Sequence, residues 1–176
     1  MRPGVRLGVD VGEVRIGLAA SDPGALIATP VATVIRDRDT LSDLERIADE
    51  AHTRGVVEVV VGLPKGLSGD EGVAAGHARS YAKSLCQRLS GVSVRLWDER
   101  LSTVDAHRGL RMSGLPTHRH RDSVDQVAAV LILQAALDAE RATGSPGGEV
   151  VTARKARHRG GRRVITKEGN REPTTG

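Results

Sequence analysis

The order of the short apolar segments is the feature that most restricts how this chain of 176 residues can fold. Three β-rich segments come first, at residues 5–11, 15–20 and 27–35, and from there strand-like and helix-like segments alternate. Consecutive strands joined by short turns pair antiparallel, whereas a strand–helix–strand unit gives a parallel pair. The chain therefore predicts an α/β fold with a mixed five-stranded sheet, an antiparallel meander plus parallel βαβ units, flanked by helices.

Local signals refine this order. Gly12 opens a turn short enough for a β-hairpin, and Pro30 indicates an edge strand or a bulge. The helix that follows the third strand is expected to be capped by Asp39 or Thr40. The last helix is apolar nearly all round, so it should be buried. Helices are expected near residues 40–53, 74–89, 104–114 and 123–141, strands at 56–62 and 92–97, and a polar loop at 115–121.

Charge divides the chain into two parts. Residues 144–176 carry 8 basic and 3 acidic side chains, and residues 1–143 carry 18 basic and 19 acidic ones. Together they give the net charge of +4. The C-terminal part is rich in Gly and charge and has few large apolar residues, so it is expected to be a disordered basic tail. Such a tail either adds non-specific affinity for nucleic acid or is simply solvated. Residues 1–143 are expected to form the single folded domain.

Composition excludes several classes of protein. A run of about 18 apolar residues and a signal peptide are both absent, which predicts a cytoplasmic protein without a membrane partner. The single cysteine, Cys86, rules out a disulfide framework or a cysteine-rich zinc site. It is expected to be a small buried hydrophobe, with an intermolecular disulfide as the alternative. One Trp, one Tyr and no Phe leave almost nothing on which bases could stack.

Carboxylates stand at three places in the predicted core where an apolar side chain would be expected. Asp10 ends the first strand, Glu99 follows the last strand, and Asp125 opens the buried helix with Asp122 three residues before it. Functional groups gather at the carboxyl ends of parallel strands, and residues three apart share a helix face. Each acid has an ordinary structural alternative: a turn for Asp10, a pair with Arg100 for Glu99, and a helix N-cap for Asp122.

Several carboxylates at one edge would repel one another unless a cation neutralised them. Oxygen ligands without Cys or His suit Mg²⁺ or Mn²⁺. Two such ions about 3.5–4 Å apart stabilise both the attacking water and the leaving oxygen in phosphodiester hydrolysis. The acids therefore predict a two-metal site with Asp10, Glu99 and Asp125 as catalytic ligands and Asp122 as a fourth candidate.

Four blocks of the sequence resemble, in order and spacing, the YqgF (RuvX) family. They are GVDVGEVRIGLAASD, VVVGLPKGLSGDEG, DERLSTVDA and VDQVAAVLILQ, and together they extend over about residues 5–140. Members are ribonuclease-H-like proteins described as pre-16S rRNA nucleases or Holliday junction resolvases. The resemblance implies a ribonuclease-H-like sheet and metal-binding acids at Asp10, Glu99 and Asp125.

The resemblance also implies the function and partner. We expect a metal-dependent nuclease, a hydrolase whose partner is nucleic acid, acting on the 5′ end of pre-16S rRNA in ribosome biogenesis. The alternatives are a Holliday junction resolvase acting on branched DNA and a non-catalytic RNA-binding module linked to transcription. A sugar-kinase or actin-like ATPase, which also begins with a D-x-G strand, needs two such domains and more residues. A monomer and a homodimer both remain open.

Basic residues near the predicted site are candidate contacts to nucleic acid. Their alternatives are solvated charges or cover for the sheet face. The candidates are Arg15, Lys65, Arg100, His118, Arg119, His120 and Arg121.

Overall fold

The computed structural model of the chain describes residues 2–101 and 118–152, with side chains from residue 124 onward in the second range. Within these ranges the chain forms six strands and three α-helices, together with a single 3₁₀ turn at Glu99–Leu101. The strands are β1 Arg6–Val11, β2 Arg15–Ser21, β3 Ala28–Ile35, β4 Glu58–Leu63, β5 Ser93–Asp98 and β6 Glu149–Val150. The helices are α1 Ser42–Thr53, α2 Val73–Arg88 and α3 His118–Thr143.

The strands form one mixed sheet in the order β3-β2-β1-β4-β5-β6. β1, β2 and β3 are an antiparallel meander, and β4 and β5 join β1 in parallel. The predicted α/β architecture is thus confirmed, with six described strands in place of five. Pro30 lies on β3, an edge strand, and the register between β2 and β3 shifts between Leu18 and Ala19. Both the edge and the irregularity that Pro30 indicated are therefore present.

The sixth strand corrects the predicted domain boundary. β6 pairs antiparallel with Arg95 and Leu96 of β5, and the buried Val151 donates its N–H to the carbonyl of Val94 at 2.9 Å. The folded part therefore continues to residue 152, beyond the boundary expected at Thr143. A two-residue strand has no periodicity of its own, and only the open edge of β5 gives it partners. The remainder of the predicted tail, residues 153–176, lies outside the described residues.

The helices cover opposite faces of the sheet. α1 and α2 pack with Leu7 and Val9 of β1 in one buried apolar cluster. α3 forms the core of the other face with Val60 and the buried Trp97. None of the helices among the described residues is long and apolar enough to cross a membrane. The sheet is therefore the central layer, as the alternating sequence predicted.

Two of the three helix starts that can be compared differ from the prediction, whereas α2 begins at Val73, one residue before its expected start. α1 begins at Ser42 after Leu41, which has a φ of 60° and makes no capping hydrogen bond through its side chain. Instead of Asp39 or Thr40, Asp37 organises the approach and accepts hydrogen bonds from the backbone N–H groups of both residues. α3 begins at His118, inside the predicted polar loop. Polar side chains alone do not prevent helix formation, so polarity was not a sufficient reason to predict a loop over residues 118–121. The short helix expected near 104–114 lies outside the described residues.

Candidate active site

Asp10 sits in a gap between two glycines at the end of β1. Its register partner on β2 is Gly17, and Val9 pairs with Val61 of β4, which places Gly62 beside Asp10. Side chains directly opposite on antiparallel strands share a face, so Asp10 lies on the same face as position 17. Neither glycine carries a side chain, and Asp10 is half-buried between them.

Glu99 reaches this gap from β5. A Cβ built on Gly62 would lie 2.6 Å from Oε1 of Glu99 and 2.6 Å from Cδ1 of Ile132 in α3. The Glu99 carboxylate therefore covers Gly62 on the α3 face of the sheet, next to Asp10. A 3₁₀ turn begins at Glu99, directly after β5 ends.

Asp125 arrives from α3 on the other side of Asp10. A Cβ on Gly17 would overlap with the backbone carbonyl oxygen of Asp125, so only glycine at this position allows α3 to approach β2 so closely. The Asp125 carboxylate accepts a hydrogen bond from Nε of Arg15, with 2.8 Å between Nε and Oδ2. The three predicted acids, Asp10, Glu99 and Asp125, are thus brought to one edge of the sheet and one face.

The donor set fits a hard divalent cation. Three carboxylates supply oxygen ligands beside two glycines, where a Cβ would overlap with Glu99 or with the Asp125 backbone. Within the described residues, however, no three carboxylate, histidine or cysteine side chains are already close enough together to hold one ion. Asp125 is paired with Arg15 instead. A cation at this edge would therefore compete with Arg15 for the Asp125 carboxylate.

Asp98 organises two of the predicted basic contacts. Arg100 donates to Asp98, with 2.7 Å between Nη2 and Oδ2, and Lys65 Nζ lies 3.9 Å from the same oxygen. The Arg100 hydrogen bond and the Lys65 charge together hold the pKa of Asp98 below its ordinary value. Lys65 also lies 3.4 Å from Glu71. Both cations are engaged by acids, and Arg100 pairs with Asp98 rather than with Glu99.

Five predicted residues belong to the first turns of α3. The side chains of His118, Arg119, His120, Arg121 and Asp122 lie outside the described part of the chain. Because α3 begins at His118, the N-cap reading of Asp122 is wrong: the residue is inside the helix. Its role as a metal ligand stays a prediction, as do the contacts expected of the four basic residues.

Two features of the site escaped sequence reasoning. The pairing of Arg15 with Asp125 joins residues 110 positions apart, and no local pattern signals it. The contacts of Asp98 with Arg100 and Lys65 are the second. The position of Asp98 as the last residue of an apolar strand was a usable signal, because a carboxylate there reaches the same sheet edge.

The sheet order and the position of the acids define a class of protein. The solved structure of Thermus thermophilus RuvC in complex with a Holliday junction substrate superposes with a TM-score of 0.51 and covers 84% of this chain and 99% of that one. At 15% identity this likeness establishes the fold alone. The chain has a RuvC-like ribonuclease H fold, as the resemblance implied.

The family follows from the sequence comparisons. The model of the RuvX family, described as Holliday junction resolvase, matches residues 4–139, and the chain belongs to this family. A relative from Kineococcus radiotolerans is 56% identical over 164 residues, covering 91% of this chain and 87% of the relative. A relative from Nocardioides is 53% identical over 153 residues, covering 86% of this chain and 98% of the relative. Both carry the name "Putative pre-16S rRNA nuclease".

Proposed function

We propose that this protein is a nuclease that hydrolyses phosphodiester bonds with the help of Mg²⁺ or Mn²⁺, and that it processes the 5′ end of pre-16S rRNA. The observation that carries the proposal is the convergence of Asp10, Glu99 and Asp125 on one face at one edge of the sheet. Relatives 56% and 53% identical over most of their length bear the name of an rRNA nuclease, which favours that substrate.

The chain's own residues have separable tasks in this reaction. Asp10, Glu99 and Asp125 would hold the cation, which when bound supplies an activated water and neutralises the leaving oxygen. Gly17 and Gly62 leave the room that Asp125 and Glu99 need to approach Asp10. The ion pair of Arg100 with Asp98 fixes the backbone directly before and after Glu99.

A second candidate is a resolvase of branched DNA. The description of the matched family as Holliday junction resolvase favours it. Phosphodiester hydrolysis by carboxylate-held cations works on either nucleic acid, so the site chemistry suits both. A non-catalytic RNA-binding module is disfavoured because all three acids are present.

The two substrates are best compared in one experiment. A precursor rRNA leader and a four-way DNA junction are each incubated with the wild type, Asp10→Asn and Asp138→Asn, in Mg²⁺ or Mn²⁺. Asp138→Asn is the matched control because it removes a carboxylate from the exposed surface of α3, where Asp138 pairs with Arg141. We expect the wild type and Asp138→Asn to cleave the leader and Asp10→Asn to leave it intact.

Each other outcome has a definite meaning. Preferential cleavage of the junction would replace rRNA processing by resolution. Light scattering of the same sample would then be expected to show a homodimer, which suits two symmetric cuts. Cleavage of neither substrate, or equal cleavage by Asp10→Asn, would contradict the proposed enzyme or its assigned site.

A further inference from the structure

Arg15 occupies one oxygen of a carboxylate that the proposed reaction needs for its cation. The Nε of Arg15 is 2.8 Å from Oδ2 of Asp125, and each side chain is 26% exposed. The pair shares one hydrogen bond rather than the two parallel bonds of a guanidinium fork. This contact is therefore a partly solvated, single-bonded ion pair, a type that contributes little to stability.

The surroundings explain why a cation is needed there. Asp125 approaches the edge that also carries Asp10 and Glu99, where like charges raise one another's energy. Arg15 is anchored as the first residue of β2, opposite Ile35, so its side chain is held beside this cluster. Without a metal, its guanidinium is the positive charge that the structure places on Asp125.

The same contact is an obstacle to metal binding. A divalent cation and a guanidinium compete for the same oxygen of Asp125. The described carboxylates are not yet gathered closely enough for one ion, and Asp125 is held by Arg15. We propose that Arg15 is the resident counter-ion of Asp125, that the incoming cation displaces it, and that the released guanidinium then binds a phosphate of the substrate strand.

This inference rests on the proposed function, since it concerns the cation and substrate of that site. A released guanidinium beside a phosphodiester has suitable chemistry, because its planar donors match phosphate oxygens. A different role, in which Arg15 positions Asp125 for the metal, makes the opposite prediction. Removal of a competitor strengthens metal binding, whereas removal of a positioning residue weakens it.

The test is titration calorimetry of Mn²⁺ into the full chain as wild type, Arg15→Gln, Arg15→Lys and Arg141→Gln. Arg141→Gln is the matched control, because Arg141 also pairs with a carboxylate of α3, Asp138 at 3.0 Å, but in the last turns of the helix. We expect Arg15→Gln to lower the Kd for Mn²⁺ about 2- to 5-fold, the range expected for an exposed pair. Arg15→Lys and Arg141→Gln should stay near the wild-type value.

Binding of the nucleic acid gives a second readout that is independent of cleavage. Fluorescence anisotropy with the precursor leader compares Asp10→Asn with the double variant that also carries Arg15→Gln. We expect weaker binding of the leader by the double variant, opposite in sign to the Mn²⁺ effect. Tighter Mn²⁺ binding together with weaker RNA binding supports the proposal that Arg15 moves from Asp125 to a phosphate.

The contrary results can be separated. Mn²⁺ binding that is unchanged or weaker in Arg15→Gln, with the wild type binding normally, overturns the counter-ion role alone. Unchanged RNA binding overturns the contact with phosphate. A wild type that binds no Mn²⁺ and cleaves neither substrate overturns the proposed function, and the inference with it.

Discussion

The two ends of the central strands carry charge in different ways. Where β1 and β4 begin, Arg6, Glu58 and Glu140 are buried and held in ion pairs. Where β1 and β5 end, Asp10, Glu99 and Asp125 are only partly buried. Arg15 pairs with Asp125 there. The same sheet and the same helix α3 contribute to both ends, so the contrast separates stability from chemistry within one core.

At the first end the charges are well matched. Glu140 accepts from Arg2 Nε at 3.0 Å and lies 3.4 Å from Arg6, while Glu58 accepts from Arg2 and from Arg95, each at 3.0 Å. Buried charges require partners, and each of these side chains has at least one, although Nε of Arg6 makes no hydrogen bond among the described residues. At the other end the three carboxylates are partly exposed, and the pair that Asp125 forms with Arg15 is partly exposed as well. We therefore expect the first end to contribute mainly stability and the second end to provide the chemistry.

The largest effect on stability is expected from breaking the charge network where β1 and β4 begin. Glu140→Gln removes the charge that faces Arg2 and the fully buried Arg6. Leaving a buried charge without its partner costs about 3–5 kcal/mol in the free energy of unfolding, measured by urea denaturation. Asp138→Asn, two residues earlier on the exposed face of α3, should change it by less than about 0.5 kcal/mol. Equal losses in both variants would contradict the contrast between the ends.

Lowering the pH should progressively reduce the stability that the charge network around Glu140 contributes. Hydrogen bonds from Arg2, aided by the charge of Arg6, lower the pKa of Glu140 from its ordinary value of 4.5 to about 2. A lowered pKa contributes stability that is complete above the unfolded value and is lost as pH falls from about 4.5 to about 2. The loss is at most about 3 kcal/mol, and less because Arg2 is half exposed.

Urea midpoints measured between pH 2 and pH 6 test this expectation. The wild-type curve should fall more steeply than that of Glu140→Gln, whose side chain does not titrate. Parallel curves for the two proteins would show that other carboxylates carry the acid sensitivity.

At the acidic end, the expected loss is in activity and not in stability. Asp10→Asn should reduce cleavage at least about 100-fold, since it removes one of the proposed metal ligands. The free energy of unfolding should change by less than about 1 kcal/mol, because Asp10 is only partly buried and asparagine keeps its size. Rates of leader cleavage and urea midpoints, measured together, give the two readouts. A destabilisation as large as that of Glu140→Gln would remove the distinction between the two ends.

The glycine that lets α3 approach the sheet sharpens the comparison further. Gly17→Ala places a methyl group against the Asp125 carbonyl, and the backbone must shift at a cost of about 1–3 kcal/mol. The shift moves Asp125, so Mn²⁺ binding measured by calorimetry should weaken. Gly76→Ala, on the exposed face of α2 with no neighbour within 4 Å of its Cβ, should instead stabilise by about 0.5–1 kcal/mol. Normal Mn²⁺ binding by Gly17→Ala would show that the close approach is not what places Asp125.

Some of these features were readable from residue patterns, and others were not. The meander, the parallel units, Pro30 at an edge and the meeting of Asp10, Glu99 and Asp125 all follow from periodicity and from where strands end. The network of Arg6, Glu58 and Glu140 does not, since single charges in apolar strands look like exceptions until their partners are known. Likewise, β6 and the αL conformation of Leu41 depend on neighbours distant in sequence.

The sequence by itself determined the layers of the fold and the chemical identity of the site, because alternation and helical spacing dictate which side chains enter the core and which acids end strands. The tertiary structure decided which charge meets which. Arg15 reaches Asp125 across 110 residues, and Arg2 reaches Glu140 across 138. Such pairs depend on how closely α3 approaches the sheet. Gly8 and Gly17 set that distance, because a Cβ at either position would overlap with atoms of α3. The sequence alone does not show that the helix lies against these two glycines.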